Sequence, residues 1–151
     1  MNSDNQVERN KISVSLIIDY QELMNNNVFP NEIKNDVIQT PYYLLIFIPR
    51  KDVIKINCFP ISNKHVRKIL IKIEEFSPDM VKGISKIFKE LNLSKNIIHT
   101  TGICFELGEC YYESFVKAEV LDSETLEKIK KKFMILEKVI EVQFEDVKVL
   151  S

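Results

Sequence analysis

A chain of 151 residues, 45% hydrophobic and 28% charged, fits one domain or two small ones with a packed core, which excludes an intrinsically disordered protein. Lys and Arg total 21 against 22 Asp and Glu, and every basic residue except Arg9, Arg50 and Arg67 is Lys. Neither a global field nor a supply of bidentate phosphate donors therefore points to nucleic acid.

The longest apolar runs, such as YYLLIFI at 42 to 48, fall short of the ~20 residues a membrane helix needs. MNSDNQVERN lacks the pattern of a signal peptide, so a soluble cytoplasmic protein with no membrane partner is expected. Residues 1 to 12 read as a disordered polar tail, 13 to 62 as an N-terminal β(α)ββ subdomain or sheet extension, and 66 to 149 as the main domain.

VSLIID at 14 to 19 reads as a strand, followed by helical fragments interrupted by Asn25, Asn26, Asn27 and Pro30. YYLLIFI and VIKINCF flank Pro49-Arg50-Lys51-Asp52, whose Pro and Asp suit a turn, so 42 to 59 reads as a hairpin. VRKILIKIE alternates with Ile69, Ile71 and Ile73 on one face, giving a strand. After it, Ser77 is a good N-cap, Pro78 sits at N1 and Asp79 lies at the positive end of the helix dipole. Met80, Val81, Ile84, Ile87, Phe88 and Leu91 then form the stripe of a helix over about 78 to 92.

NIIHTTGICFELGECYYESFVKAEV reads as a second hairpin with Gly108-Glu109 as a two-residue turn. That turn would set Leu107 opposite Cys110, Phe105 opposite Tyr112 and Glu106 opposite Tyr111. It would also put Gly102 opposite Phe115, where the ring could cover the glycine, and His99 on the core face. Asp122 or Ser123 caps a second helix carrying Leu126, Ile129, Phe133 and Leu136, and IEVQFED closes as a final strand.

Residues 66 to 149 thus run β-α-β-β-α-β, an α+β, ferredoxin-like arrangement with two helices on one face of an antiparallel sheet. The N-terminal elements repeat its first four, as a truncated copy of the pattern or as strands added to the sheet. The tight Pro-bearing turn, short hairpin and two helices make 66 to 149, a little over half the chain, resemble an ACT domain, a regulatory module that binds amino acids and related metabolites. The loop at its first strand-helix junction is commonly Asp-x-Pro-Gly-like. Here the matching stretch is Glu75-Phe76-Ser77-Pro78-Asp79, with Asp79 where the family has Gly.

The resemblance implies a small-metabolite site, such as one for an amino acid, at a dimer or domain interface. Its residues would be Glu75, Phe76, Ser77, Met80, Ile98, His99 and Thr100. It also implies a homodimer and, with no effector domain in these residues, a separate protein that receives the signal. Tyr111 and Phe115, apolar residues on the second face of the hairpin, are read as interface residues. The alternative is a protein-interaction module with no small ligand.

No catalytic residue, cofactor or metal is expected. Phosphate loops and the common hydrolase motifs are missing, and His65 and His99 stand without ligands at metal spacing. Cys58, Cys104 and Cys110 form an odd set without CxxC spacing, so they read as small hydrophobes in a reducing compartment.

Overall fold

The computed structural model describes residues 12 to 104 and 108 to 150. It divides the chain into two compact units, one of His65–Asp146 and the other of Met1–Lys64 with Val147–Ser151. Fourteen elements follow one another. They are β1 (Val14–Asp19), α1 (Tyr20–Met24), α2 (Asn31–Lys34), β2 (Tyr42–Pro49), β3 (Ile54–Ile61), β4 (Val66–Ile73), α3 (Pro78–Glu90), a 3-10 turn (Ser94–Asn96), β5 (Ile97–Cys104), β6 (Cys110–Lys117), a second 3-10 turn (Ala118–Val120), α4 (Ser123–Ile135), β7 (Val139–Asp146) and β8 (Lys148–Val149).

In the larger unit the antiparallel strands lie in the order β5-β6-β4-β7, with β4 between β6 and β7. The alternation in β4 sends Ile69, Ile71 and Ile73 into one core with Met80, Ile84, Ile87 and Phe88 of α3 and Ile129 and Phe133 of α4. Both helices therefore pack on the same face. Phe88 and Phe133 meet edge to face, with ring centroids 5.3 Å apart. Val81, counted in the helical stripe, is exposed instead.

The ends of α3 are set locally. The Ser77 hydroxyl accepts the Met80 N–H at 3.1 Å, and Pro78 opens the helix. At the other end Asn92 takes a φ of 58°, the Leu93 N–H donates to the Phe88 carbonyl, and the Asn92 N–H donates to that of Lys89. These two bonds make a Schellman cap with Asn in the usual glycine position. Asp122 caps α4 by accepting the Thr125 N–H at 2.7 Å.

The N-terminal elements form a sheet of their own, ordered β3-β2-β1-β8, so they do not extend the larger sheet. Nor do they copy its order: β2 pairs directly with β1, whereas β5 lies outside β6, away from β4. The reason is the connection. The segment between β1 and β2 is too broken by Asn25 to Asn27 and Pro30 to form a long crossover helix, so the two strands pair as neighbours. β8, read as the tail of the main domain, runs parallel to β1 in this unit, and the Leu150 N–H donates to the Ile17 carbonyl at 2.8 Å. Ile12, assigned to the disordered tail, is buried at 2% exposure.

The β5-β6 hairpin shows the largest departure from the sequence reading. Cys104 stands opposite Cys110, Gly102 opposite Tyr112 and Thr101 opposite Glu113. Leu107, Phe105 and Glu106 lie outside the described residues, so their expected pairings do too. From His99 to Cys104 the offset is three residues, and an odd offset moves those side chains of β5 to the other face while β6 keeps its own; beyond the register shift between Ile97 and His99, Ile97 pairs with Val116 and stays packed against the core. Cys104 and Cys110 are joined by a disulfide across the two strands, which replaces the reading of both as free small hydrophobes. Spacing gave no signal for this bond because it depends on which residues face one another.

Candidate functional site

The turn that the sequence marked as a ligand loop is packed against β5. The Phe76 ring lies over Gly102 so closely that a Cβ on that glycine would stand 2.3 Å from it. The same ring approaches Tyr112, with centroids 6.3 Å apart. An aromatic does cover Gly102, but it is Phe76 from the strand-helix turn and not Phe115. The abrupt change from strand to helix at Ser77-Pro78 therefore directs Phe76 back onto the sheet.

The other residues of that expected site are spread out. The Ser77 hydroxyl is taken up by the Met80 N–H, and Met80 is buried in the core. Glu75 is exposed and ion-paired with Lys138. Thr100 is exposed and Ile98 is half-buried.

His99 is turned away from the helices by the shifted register, not toward the core as expected. It pairs in register with Phe115, and its Nε2 lies 2.9 Å from the Thr101 hydroxyl. Burial pushes the imidazole below its ordinary pKa, opposed by the Glu113 carboxylate. With the folded value below the unfolded one, His99 supports the fold fully above the unfolded value, and that contribution is lost as pH falls toward the folded value. Denaturant midpoints should thus drop on acidification through the weakly acid range, with a shallower drop in His99→Asn; equal slopes for the two proteins would show that His99 titrates alike folded and unfolded.

On the same face Phe115 and Glu113 are fully buried. The Lys68 ammonium lies 3.0 Å from Glu113 and 6.0 Å from the Phe115 ring centroid. Tyr111 is half-buried and donates its hydroxyl to Glu109 at 3.1 Å. Glu109 also pairs with Lys72 at 3.3 Å, and that ammonium lies over the Tyr111 ring. The two residues read as an interface thus differ. Phe115 is interior to the single chain, and Tyr111 belongs to a surface network of charges. Among the described residues no group of three or more His, Cys, Asp or Glu could hold a metal ion, and no helix is long and apolar enough to cross a membrane.

A cavity of about 270 Å³ lies in the N-terminal unit. Tyr43 and Pro60, a cross-strand pair, and Cys58, two residues before Pro60, contribute from the sheet; Leu23, Phe29, Ile33, Val37 and Ile38 contribute from the segment that crosses it. That segment is held by short-range bonds. Asp19 and Glu22 make a reciprocal capping box at the start of α1, and the Asn26 side chain accepts the Val28 N–H at 2.9 Å. Pro30 then opens α2. The buried Tyr43 hydroxyl donates to the Ile38 carbonyl at 2.7 Å and accepts the Thr40 N–H at 3.3 Å, fixing the loop that returns to β2.

Lys34 is the single charged residue of the lining. Cys58 is the free cysteine among the described residues, half-buried, and burial raises its thiol pKa, so less of it is thiolate and its alkylation is slowed. Sequence reasoning passed over this site because it gave the segment only helical fragments, interrupted by Asn25, Asn26, Asn27 and Pro30, with no apolar face to place against the sheet. The signal was present as Phe29, Ile33 and Val37, apolar residues four apart.

Compared with models of known protein families and with curated proteins, the chain matches none.

Proposed function

We propose that this chain is a non-catalytic binding protein for a small, largely apolar ligand held in the cavity between α1, α2 and the face of β2 and β3. The observation that carries the reading is the cavity itself, walled almost entirely by apolar groups. The order β5-β6-β4-β7, with both helices on one face, supports a ferredoxin-like arrangement for the larger unit. It also supports kinship with regulatory modules of that shape, though fold alone carries no function. The ligand loop of such modules corresponds here to a turn filled by Phe76. We therefore place the ligand in the N-terminal unit, with binding shifting the population of a state that a separate protein reads.

A homodimer belongs to this proposal only through residues other than Phe115, which has no exposed surface in the single chain. The Cys104–Cys110 disulfide favours an oxidising compartment over the cytoplasm expected from the sequence.

A second reading, an interaction module without a ligand, draws on the edge strand β3 and its approach, where Val53, Ile54 and Ile56 are exposed. Thermal unfolding of the full chain against a panel of amino acids, nucleotides and small apolar acids and alcohols separates the two, because a ligand at one hundred times its Kd adds about 2.7 kcal/mol. We expect a shift that survives Ser77→Ala with Thr100→Val and disappears in Cys58→Trp, where the indole fills the cavity. A shift lost in the first variant and kept in the second would return the ligand to the turn. No shift with any compound would favour the interaction module.

A further inference from the structure

Resting on that reading, the chemistry of the cavity wall narrows the ligand. Eight of the nine lining residues carry no charge, and the hydroxyl of Tyr43 is already engaged on both sides by the Ile38 carbonyl and the Thr40 N–H. No neutral polar side chain other than the Cys58 thiol remains to recognise a sugar or a base, and no carboxylate lines the site to receive an ammonium. A zwitterionic amino acid would therefore bury its charged amine unpaired, which is costly.

Lys34 is the exception, placed at the last turn of α2 and without an ion pair among the described residues. Its neighbours in sequence, Glu32 and Asp36, do not line the cavity. A lysine can lay its stem along apolar surface and keep its ammonium at the mouth, where it meets an anion. The volume, about 270 Å³, is at the small end of ligand cavities, which suits a small molecule.

We infer that the cavity takes a small anionic amphiphile, a medium-chain or arylalkyl carboxylate whose apolar body lies against Phe29, Val37, Tyr43 and Cys58 and whose head pairs with Lys34. The two ends contribute separately: the walls select an apolar body, and Lys34 selects the sign of its head.

Cys58 supplies the readout, since a ligand against it shields its thiol. The full chain is treated with iodoacetamide in the presence of octanoate, octan-1-ol or octylamine at matched concentration, and modification of Cys58 is followed by peptide mass spectrometry. Octanoate should protect at a concentration about tenfold lower than octan-1-ol, one charge-assisted contact being worth about that factor, and octylamine should protect least. In Lys34→Gln the acid and the alcohol should protect alike. Equal protection by octanoate and octan-1-ol in the native chain would overturn the anionic head while leaving an apolar-ligand cavity standing. Stronger protection by octylamine would reverse the sign and overturn it as well. Failure of all three to protect Cys58 would remove the cavity reading and this inference with it.

Discussion

Replacing Glu113 with Gln should cost about 3 kcal/mol or more of folding stability, although the change is nearly isosteric. Glu113 is fully buried and Lys68 is 6% exposed, and they lie 3.0 Å apart on neighbouring strands β6 and β4. Two charges removed from water depend on each other. Taking away the Glu113 charge removes from the buried Lys68 ammonium the opposite charge 3.0 Å away, while Glu145 at 4.0 Å and the face of Phe115 at 6.0 Å stand farther off. The second arm is the double change Lys68→Met with Glu113→Leu, which removes both desolvation penalties and should return most of the loss. The check is the urea midpoint at constant slope for each single variant, the double variant and the native chain. A loss under about 1 kcal/mol for Glu113→Gln would mean that the pair behaves like a solvated surface bridge, and the burial of this face would then be wrong.

Gly102→Ala is the second substitution with a large expected effect. A strand normally gains from Ala over Gly, since Gly has more backbone freedom to lose. At this position the added Cβ would stand 2.3 Å from the Phe76 ring, closer than any two carbons pack, so the ring must leave its place over β5. Overpacking of this kind costs about 1–3 kcal/mol. The diagnostic is a cycle with Phe76→Leu: if the clash is the cause, Gly102→Ala should be much less harmful when the smaller side chain is already present, giving a coupling of about 1 kcal/mol or more. Additive losses would show that the ring does not rest on Gly102. Ligand protection at Cys58 should be unaffected, because the two positions lie in different units.

The chemistry of the two units differs in how much of it was readable. The capping of α3 by Ser77 and Pro78, and the Ile69, Ile71 and Ile73 alternation, are interactions between near neighbours in the chain, and they appear in the structure as read. The expected ligand residues do not converge, because Phe76 spends its ring on Gly102 and Ser77 its oxygen on Met80. His99 was assigned to the core through a turn at Gly108-Glu109 that would pair Leu107 with Cys110, and the pairing of Cys104 with Cys110 put it on the other face. The cavity went unread for a different reason: Phe29, Ile33 and Val37 belong to a segment with only single turns of helix, too short for a periodic signal to stand out.

Local chemistry thus determined where the two long helices begin and which face β4 turns to the core, because caps and alternation act over a few residues. Only the tertiary structure decided how those elements pair. Strand register, the Cys104–Cys110 bond, the burial of Lys68 with Glu113 and the space beside Tyr43 and Cys58 all depend on contacts between residues distant in sequence. Their energies are settled by whole faces packing together, and no short window of the chain contains that information.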